Sequence, residues 1–289
     1  MFSLEGLFDL HIHAGPDLVE RLGDDMQFAI RGRDAGMAGM AVKAMLENTV
    51  SRAYYVNMAV PGFRMVGGVC LNYSVGGINP AAVDTALRAG GRIVWMPTAH
   101  ARFHAELKGE LGSWGHAGLK LYNPPGVKGI SILNEDGSLT REMRDVVEIV
   151  GQHRALIGTS HLSPEEIVKL AAYCRGEGVK MIVNHLGWTP AYDLALAKEV
   201  VAHGGHIELT AVTFGGFTHK MAIADAVKII AEIGVERIVL ATDAGAIRFP
   251  TPSEMLRTFG ENLLLQGVKE ADIRRMMREN PLALISDAS

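Results

Sequence analysis

Cysteine and charge of a single sign are both scarce in this sequence. Its 289 residues include only two cysteines, Cys70 and Cys174, in unrelated contexts. Two isolated cysteines exclude a disulfide framework and a zinc ribbon, and they fit a reducing compartment. Lys and Arg total 28 and Asp and Glu total 32, so the formal net charge is only −4. With no basic run, the chain lacks the electrostatic footprint of a nucleic-acid-binding protein.

Long apolar runs are missing as well. No stretch reaches the roughly 18 apolar residues of a transmembrane helix. The N-terminal segment MFSLEGLFDLHIHAGPD carries acidic residues where a signal peptide needs positive charge. We therefore expect a cytoplasmic protein that acts on a small molecule, has no membrane or nucleic-acid partner and can form a homo-oligomer.

What the sequence does contain is a regular alternation of two kinds of segment. Short apolar runs recur, and most are followed by a stretch with helical periodicity. The runs are Leu7–His13, Met40–Leu46, Arg64–Leu71, Arg92–Thr98, Ala155–His161, Lys180–His185, His206–Val212 and Arg237–Asp243. Their length and their Val and Ile content indicate strands. Runs that are apolar on both faces indicate parallel strands covered by helices.

The intervening segments carry the start and stop signals of helices. Ser163 followed by Pro164 and two glutamates is typical of a helix N-terminus. The 33 glycines mostly stand at the ends of apolar or periodic segments, as turns and caps do. The remaining predicted helices cover Asp24–Met37, Pro80–Ala89, Pro190–His203, Lys220–Ile233, Ser253–Leu265 and Lys269–Glu279.

Eight strands alternating with helices predict an α/β protein, built as a single (β/α)8 TIM barrel over residues 1–289. The same alternation leaves an open doubly wound sheet as the alternative. That alternative loses support because HAGPD, and not a glycine-rich phosphate loop, follows the first strand.

Residues 100–140 interrupt the alternation between the fourth and fifth strands. They contain the turn NPPG and the pair Asp136-Gly137, which is a strong hairpin signal. We predict a small β-hairpin excursion over the mouth of the barrel. Long ordered loops of this kind are often lids, and a surface hairpin without function is the alternative.

Four of the eleven histidines, together with one aspartate, fall within or at the end of predicted strands. His11 and His13 lie in the first strand, His161 in the fifth and His185 in the sixth, and Asp243 ends the eighth. In a barrel these positions meet at the C-terminal face, where active sites are built. His11 and His13 are two residues apart, so their side chains point to the same side of the strand.

Imidazoles and a carboxylate that converge in this way are ligands for a divalent metal. Zn is the first expectation, with Mn, Fe or Ni as alternatives. A single histidine in an apolar run is usually a hydrogen-bonded core residue. Several ionisable groups at corresponding strand ends are hard to explain as ordinary core residues, because burying them together is costly unless they coordinate a metal or pair with one another.

This pattern resembles the amidohydrolase superfamily of metal-dependent hydrolases. The resemblance follows the chain nearly from end to end, through HIH in the first strand, the later histidines and aspartate, and Glu279-Asn280-Pro281 in the last helix. The motifs DLHIHAGPD, GGINP, VWMPT, GTSHLSPEE and ATDAG resemble a poorly characterised subgroup of predicted hydrolases.

The resemblance implies a role for each of these residues. His11, His13 and Asp243 would hold the more buried metal. His161 and His185 would hold a second one, or in one-metal members one of them would ligate and the other would orient substrate. A divalent metal lowers the pKa of bound water from about 15.7 towards 7. Asp243 would accept the proton of that water and later protonate the leaving group.

The sequence departs from the commonest superfamily pattern in its fourth strand. Two-metal members usually have a carboxylated lysine or a glutamate there, whereas this strand reads RIVWMPTAH. Lys43, Lys120 and Glu208 are conceivable substitutes. Lys43 is the one most favoured to reach the barrel mouth, as a catalytic residue that binds an anionic substrate or is modified; the alternative is a snorkelling lysine. Without a bridging anion, a single metal ion is a serious alternative.

Other polar residues near predicted strand ends are weaker candidates for the site. They are Asp17, Arg21, Asn72, Asn79, Thr98, His100, Asn184 and Arg248. Each has an ordinary structural interpretation; Asn79 before Pro80, for example, fits a helix cap. We expect Cys70 to pack as a small apolar residue.

The function that the sequence predicts is water activation at a site of one or two metal ions. The reaction would cleave an amide, lactone or other ester bond in a small molecule, which Lys43, Arg21 and Arg248 indicate to be anionic. A zinc-dependent decarboxylase or hydratase is the first alternative, because Asn184-His185-Leu186-Gly187 is similar to the HLG motif of such enzymes. A PHP-type phosphoesterase, which also opens with HxH, and a catalytically inactive metal-binding barrel are the others.

Overall fold

A computed structural model describes residues 2–45, 47–114, 118–218 and 220–286 of the chain. Leu46, the end of the second predicted strand, and 115–117 of the predicted excursion lie outside the described residues. The strands are β1 (Phe8–Ile12), β2 (Gly39–Val42), β3 (Arg64–Val66), β4 (Gly68–Cys70), β5 (Ile93–Trp95), β6 (Ser113–Trp114), β7 (Leu119–Lys120), β8 (Leu156–Gly158), β9 (Lys180–Val183), β10 (His206–Thr210) and β11 (Ile238–Ala241).

The α-helices alternate with these strands along most of the described chain. They are α1 (Asp25–Asp34), α2 (Val50–Ala59), α3 (Pro80–Arg88), α4 (Arg102–Lys108), α5 (Arg141–Gln152), α6 (Pro164–Glu177), α7 (Leu194–Ala202), α8 (Ala211–Phe214), α9 (Ile223–Ile233), α10 (Pro252–Leu265), α11 (Glu270–Arg274) and α12 (Asn280–Ile285). A π-helical turn, Arg275–Glu279, joins the last two. Among the described residues, no helix has both the length and the apolar character needed to cross a membrane.

Local capping chemistry explains where several helices begin. The Ser163 side chain accepts a hydrogen bond from the Glu166 amide, and the Glu166 carboxylate accepts one from the Ser163 amide. This reciprocal pair satisfies two backbone donors that a helix start would otherwise leave unpaired. Asn79 caps α3 by accepting from the next two amides of the helix, which agrees with its structural interpretation as a cap.

Both large sheets are parallel, so the predicted α/β architecture is confirmed. One sheet has the strand order β1-β2-β3, and the other has the order β11-β10-β9-β8-β5-β4. The predicted third strand, Arg64–Leu71, is divided between the two sheets because pairing is interrupted at Gly67. The other predicted strands of the two sheets are found. Strands β5, β8, β9 and β11 end two or three residues before the polar residue that closes their motif, and β1 ends one residue before His13.

The first and last strands of the chain run side by side. Ile12 and Ala244 form a parallel bridge, and the amide of Asp243 donates to the carbonyl of His11 at 2.8 Å. The amide of His13 donates to the carbonyl of Ala244 at 2.7 Å. These bonds place residues from opposite ends of the sequence next to each other. Closure of the two sheets into one eight-stranded barrel stays a prediction.

The sheets bury apolar side chains on two sides. A large cluster packs the sheets against the helices. A smaller one collects side chains from eight of the strands, with Ala41, Val66, Trp95, Ile182 and Val239 among them. Strands that are distant in the sequence therefore pack around the same apolar interior. The polar residues of the motifs lie at the carboxyl ends of these strands, above that interior.

The segment between β5 and α5 contains two short antiparallel pairings. Strand β6 pairs with β7, and Leu133 bridges to Leu139 around the turn at Asp136-Gly137. The buried Glu166 carboxylate ties the segment to α6, since it accepts hydrogen bonds from the Ser131 hydroxyl at 2.7 Å and from the Ile132 amide at 3.0 Å. A lid function of residues 100–140 stays a prediction.

Candidate metal centre

The strand ends that carry the motifs have an unusual backbone. Ser160, His185 and Asp243 adopt left-handed φ angles of +45°, +40° and +56°, and they follow β8, β9 and β11. Such angles are uncommon outside glycine and cost of order 1 kcal/mol or more each, so they persist only where the surroundings impose them. Three of them after strands of the same sheet indicate a constrained site.

Three predicted metal ligands meet at one point. His11, His13 and Asp243 offer ligand atoms that all lie within 4.8 Å of one another. The Asp243 Oδ1 atom is 3.4 Å from Nε2 of His11 and 3.2 Å from Nε2 of His13. Two imidazoles and a carboxylate are a donor set typical of a transition-metal site.

Hydrogen bonds fix which nitrogen each of the two histidines presents. Nδ1 of His11 donates to Oε1 of Glu208 at 3.0 Å, and Nδ1 of His13 donates to the carbonyl of Lys43 at 2.9 Å. Because a carboxylate and a carbonyl only accept, the proton of each neutral imidazole is on Nδ1. Both Nε2 lone pairs are thereby turned to Asp243. Metal-ligating histidines are commonly oriented in this way, and the buried Nε2 of His11 has no hydrogen-bond partner among the described residues.

Glu208 is buried beneath this cluster, and both of its oxygens are engaged. Oε1 accepts from His11 and from the backbone amide of His185, at 2.9 Å for the latter, and Oε2 accepts from Nδ2 of Asn184 at 3.0 Å. Burial would raise the pKa of Glu208, but the electrostatic attraction and hydrogen bond of the His11 Nδ1–H group, together with the hydrogen bond of the His185 amide, outweigh it and lower that pKa. The structure thus assigns Glu208 to orienting its neighbours, and Asn184 to supporting Glu208.

Asp9 supports the other side of the cluster. Its Oδ2 accepts a hydrogen bond from the hydroxyl of Thr242 at 2.6 Å, and its Oδ1 accepts from the Thr242 amide at 3.0 Å. Burial raises the pKa of Asp9 to about 7. These bonds hold the backbone immediately before Asp243, so they help to set the position of its carboxylate.

His161 and His185 lie next to the cluster but outside its 4.8 Å group. The ring centroids of His185 and His11 are 5.8 Å apart, and those of His161 and His185 are 5.1 Å apart. Nδ1 of His185 is buried without a hydrogen-bond partner in the described part of the chain. The predicted meeting of all five ligands at one ion stays a prediction, whereas the structure brings three of them together.

A histidine from the excursion orients His161. Nε2 of His104 lies 3.1 Å from the carbonyl of Ser113, and its Nδ1 lies 2.7 Å from Nδ1 of His161. The carbonyl only accepts, so a neutral His104 carries its proton on Nε2 and accepts through Nδ1. His161 then donates from its own Nδ1, which leaves its Nε2 unprotonated. The ring of Trp188 stacks on His161 at 4.2 Å between centroids.

The protonation states of the site suit metal binding. Burial, assisted by the positive charge of Arg21, lowers the pKa of His13 to about 4. Burial likewise lowers the pKa of His185 to about 3 and that of His104 to about 4. Burial would raise the pKa of Asp243, but the neighbouring imidazoles hold it well below its ordinary value. Neutral imidazoles and an ionised carboxylate are the forms that bind a cation.

A cavity of about 170 Å³ opens on this cluster. His13, His161, His185 and Asp243 line it together with Arg21, Lys43, Thr98, Trp188, Lys220, Arg248 and Phe249. A second cavity of about 470 Å³ shares Trp188 and Lys220 with it and is lined mainly by apolar side chains. The buried cluster therefore has a route to a space that can hold a small molecule.

Lys43 and Lys120 have very different surroundings. The Lys43 side chain is 1% exposed and lines the smaller cavity, with Nζ 6.0 Å from the centre of the Trp95 ring. The Lys120 side chain is exposed, forms an ion pair with Glu110 and does not line that cavity. Lys120 is therefore not positioned to bridge metal ions held by the cluster.

The weaker candidates divide into structural residues and cavity residues. Asp17 accepts two hydrogen bonds from the Arg21 guanidinium, and Asn72 donates to the Thr98 hydroxyl at 2.8 Å. His100 is buried against Tyr73 and lines a different cavity. Thr98, Arg21 and Arg248 line the cavity that opens on the His11, His13 and Asp243 cluster. Cys70 packs in the smaller apolar cluster, as expected.

Sequence reasoning missed Asp9, His104 and Trp188. Asp9 stands two residues before His11 on the same strand, so both side chains point to the same face. This alternation could have predicted that Asp9 lies beside His11. His104 belongs to α4 in the excursion, where no strand period locates it. Trp188 follows the HLG triplet after β9, and nothing in its local pattern predicts that it stacks on His161.

Comparisons with known proteins agree with this fold. Among solved structures, an amidohydrolase from Pseudomonas aeruginosa is similar with a TM-score of 0.66 and 12% identity, over 98% of this chain and 96% of that chain. The probable dipeptidase PvdM from the same organism gives 0.63 and 13%, over 97% and 94%. A 2,6-dihydroxybenzoate decarboxylase gives 0.55 and 14%, over 97% and 99%.

Identities of 12–14% demonstrate a shared fold and nothing finer. The chain thus shares its fold with proteins described as an amidohydrolase, a probable dipeptidase and a decarboxylase. No curated protein sequence matches the chain. The model of a family of unknown function matches residues 6–208, which is more than half of the sequence. The chain therefore belongs to the DUF6282 family, a family of unknown function.

Proposed function

We propose that this protein is a metal-dependent hydrolase that cleaves an amide, lactone or other ester bond in a small molecule. The observation that carries the proposal is the orientation of His11 and His13. Their Nδ1 protons are engaged by Glu208 and by the Lys43 carbonyl, and both Nε2 lone pairs face Asp243. An apolar core has no need of such an arrangement, whereas a cation does.

The proposal includes closure of the two sheets into a (β/α)8 barrel. Three observations support closure: the single-residue step between β3 and β4, the bridge from Ile12 to Ala244, and the small apolar cluster shared by eight strands. In a closed barrel, the ends of β1, β8, β9 and β11 open on one face, where enzymes with this architecture carry their active sites.

The residues present fit a divalent cation. Nε2 of His11, Nε2 of His13 and the Asp243 carboxylate would hold it, and His161 and His185 stand beside them to complete the coordination or to orient substrate. Zn suits this nitrogen and oxygen donor set best, with Mn, Fe or Ni as alternatives. When bound, the ion would supply Lewis acidity and would lower the pKa of a coordinated water towards 7.

We favour one ion over two. A close pair of divalent cations needs a bridging anion, and the Glu208 carboxylate is already committed to His11, His185 and Asn184. Lys120 pairs with Glu110 at the surface. Of the three candidate bridges, Lys43 remains; it would supply an anion if modified, and as an ammonium it would instead repel a second cation.

The chain's own groups support hydrolysis in distinct ways. The Asp243 side chain is about one-fifth exposed and faces the cavity, so its carboxylate can accept a proton from an attacking water and return it to the leaving group. The Trp188 ring covers His161 and restricts access of bulk water to that side. Glu208 and His104 hold the imidazoles in place, which limits reorganisation during the reaction.

Substitution of Asp243 tests the proposal. The Asp243→Asn variant removes the proton acceptor and one anionic ligand while keeping the side-chain volume, so we expect an intact fold and a loss of turnover of about a hundredfold or more. The protein would be loaded with Zn, Mn, Fe or Ni in turn and screened against amides, lactones and other esters. Asp145→Asn, an exposed aspartate on α5, is the matched control. Full activity in Asp243→Asn would contradict the assignment.

A decarboxylase is the second candidate. It is supported by the fold shared with 2,6-dihydroxybenzoate decarboxylase and by the cation Lys43 in the cavity. Product analysis in labelled water separates the two reactions. Incorporation of water oxygen into the product indicates hydrolysis, and release of CO2 without incorporation indicates decarboxylation.

A further inference from the structure

The Lys43 side chain is the most unusual charge in the cavity. It is 1% exposed, yet its ammonium has no hydrogen bond or ion pair with any residue that the structure describes. The 6.0 Å contact with the Trp95 ring is at the outer limit of a cation–π interaction. A buried ammonium is costly unless it is compensated, so Lys43 is suited to an anion that comes from outside the chain.

The other charges around the cavity reinforce this positive character. The Arg21 guanidinium is neutralised by Asp17. Lys220 and Arg248 line the same cavity, and neither forms an ion pair within the described ranges. Among the described residues that line the cavity, Asp243 alone is an anion, and the proposed metal would more than compensate its charge.

Apolar surfaces face these cations. Trp188 and Phe249 line the cavity, so a flat or otherwise apolar body has aromatic rings to pack against. The cavity has a volume of about 170 Å³, which is room for roughly five waters at about 30 Å³ each. The larger cavity beyond Trp188 and Lys220 leaves space for a longer body.

We propose that the substrate is a small organic carboxylate, whose carboxylate binds to Lys43 and whose apolar body packs on Trp188 and Phe249. This proposal rests on the proposed function, since it places the reacting bond between Lys43 and Asp243. It assigns Lys43 to substrate recognition and not to the metal. Lys220 and Arg248 at the rim attract the anion and are not needed to hold it.

Benzoate and benzamide are the probes that test this assignment. They have nearly the same shape and differ in the charge of one group, so their difference in affinity reports on recognition of an anion. Lys43→Met keeps most of the side-chain volume while it removes the charge. Lys198→Met is the matched control, because Lys198 is exposed and pairs with Glu232. All proteins would be zinc-loaded, with zinc content and melting temperature measured first.

Isothermal titration calorimetry gives the dissociation constants. We expect the unmodified protein and Lys198→Met to bind benzoate at least about tenfold more tightly than benzamide. This ratio of dissociation constants corresponds to one charge-assisted hydrogen bond. In Lys43→Met with zinc retained, this ratio falls at least about tenfold. Because zinc is present throughout, any direct contact of benzoate with the ion cancels in the comparison.

Three results would overturn the proposal. The first is an unchanged ratio in Lys43→Met, and the second is loss of zinc from that variant with the benzoate preference intact. The third is tighter binding of phenyl phosphate than of benzoate by more than about tenfold, which would assign the site to phosphate. Selective benzoate binding by a protein without hydrolase activity supports this inference and rejects the proposed function, so the two fail separately.

Discussion

At the residue scale, the site depends on which imidazole nitrogen faces the cavity. His11, His13 and His161 each have Nδ1 engaged by another group, so each is left with Nε2 for a ligand or a substrate. The three partners are a carboxylate, a backbone carbonyl and a second imidazole. Tautomer selection by an outer partner is a recurrent property of metal-binding histidines.

Substitution of His104 tests this orientation. His104→Ala removes the acceptor of the His161 Nδ1 proton, and we expect zinc affinity or turnover to fall about tenfold to a hundredfold. His104→Asn keeps an acceptor near the position of Nδ1, so it should recover part of the loss. Zinc affinity would be measured by chelator competition and compared with melting temperature. If both variants keep full zinc affinity and turnover, His104 does not position His161.

The sequence predicted individual site residues to the extent that a strand period located them. His11 and His13 were found because alternate residues of a strand point to the same face, and Asp243 was found because it closes the last predicted strand. The strand pattern thus gives the side to which a side chain points and its position at the carboxyl end of the strand. His104 was missed because α4 lies in a segment without a repeating period. Glu208 was considered as a ligand, and only the three hydrogen bonds to its carboxylate reveal its orienting role.

At the element scale, the close approach of β1 and β11 places a strict demand on Gly245. It has φ of +130°, and a Cβ atom added there would lie 1.8 Å from the carbonyl oxygen of His13. No side chain fits such a contact without displacement of the His13 backbone. Gly245, the glycine of the motif ATDAG, is therefore required on steric grounds, because a side chain there would displace the backbone of His13, a proposed metal ligand.

We expect Gly245→Ala to destabilise the protein by at least about 2 kcal/mol and to weaken zinc binding. Gly176→Ala is the control, because Gly176 lies in α6 and has nothing within 4 Å of an added Cβ. It should be neutral or slightly stabilising. Denaturant unfolding gives the free energies, and equal stability of the two variants would contradict the packing argument.

The excursion is anchored to the rest of the fold by Glu166. Its buried carboxylate caps α6 and also accepts hydrogen bonds from Ser131 and Ile132. Loss of this group leaves several buried donors unpaired. Helix α4 belongs to this segment and places His104 against His161. The anchoring by Glu166 therefore also helps to hold His161 in position.

For Glu166→Ala we expect a loss of about 1–3 kcal/mol of stability and faster proteolytic cleavage within residues 100–140. Glu165→Ala is the neighbouring control, since the Glu165 side chain is exposed and pairs with Lys169. Limited proteolysis followed by mass spectrometry locates the cleavage. Cleavage of both variants at the rate of the unmodified protein would show that Glu166 does not hold the excursion.

The elements themselves were more predictable from the sequence than their ends. The eight predicted strands are present because apolar runs of strand length are bounded by glycine and polar residues. They end early because Ser160, His185 and Asp243 leave the extended conformation to aim site residues. Helices α2, α4 and α5 were not predicted; α2 leaves Tyr54, Tyr55 and Met58 exposed, which blurs its apolar stripe.

At the scale of the whole molecule, the proposed metal joins the two ends of the sheet order. His11 lies in the first strand, His13 directly follows it and Asp243 follows the last, so one cation would connect β1 with β11. The alternation of strands and helices was enough to predict the parallel architecture. Closure of the ring is a long-range property, which depends on contacts between residues more than 200 positions apart and not on any local pattern.

The most direct test of the account is a crystal structure of the zinc-saturated protein with anomalous diffraction measured at the zinc edge. We expect an anomalous peak about 2.0–2.1 Å from Nε2 of both His11 and His13 and about 2.0–2.2 Å from a carboxylate oxygen of Asp243. A zinc-saturated crystal with no such peak, or with a peak that leaves any of these three side chains uncoordinated, would contradict it.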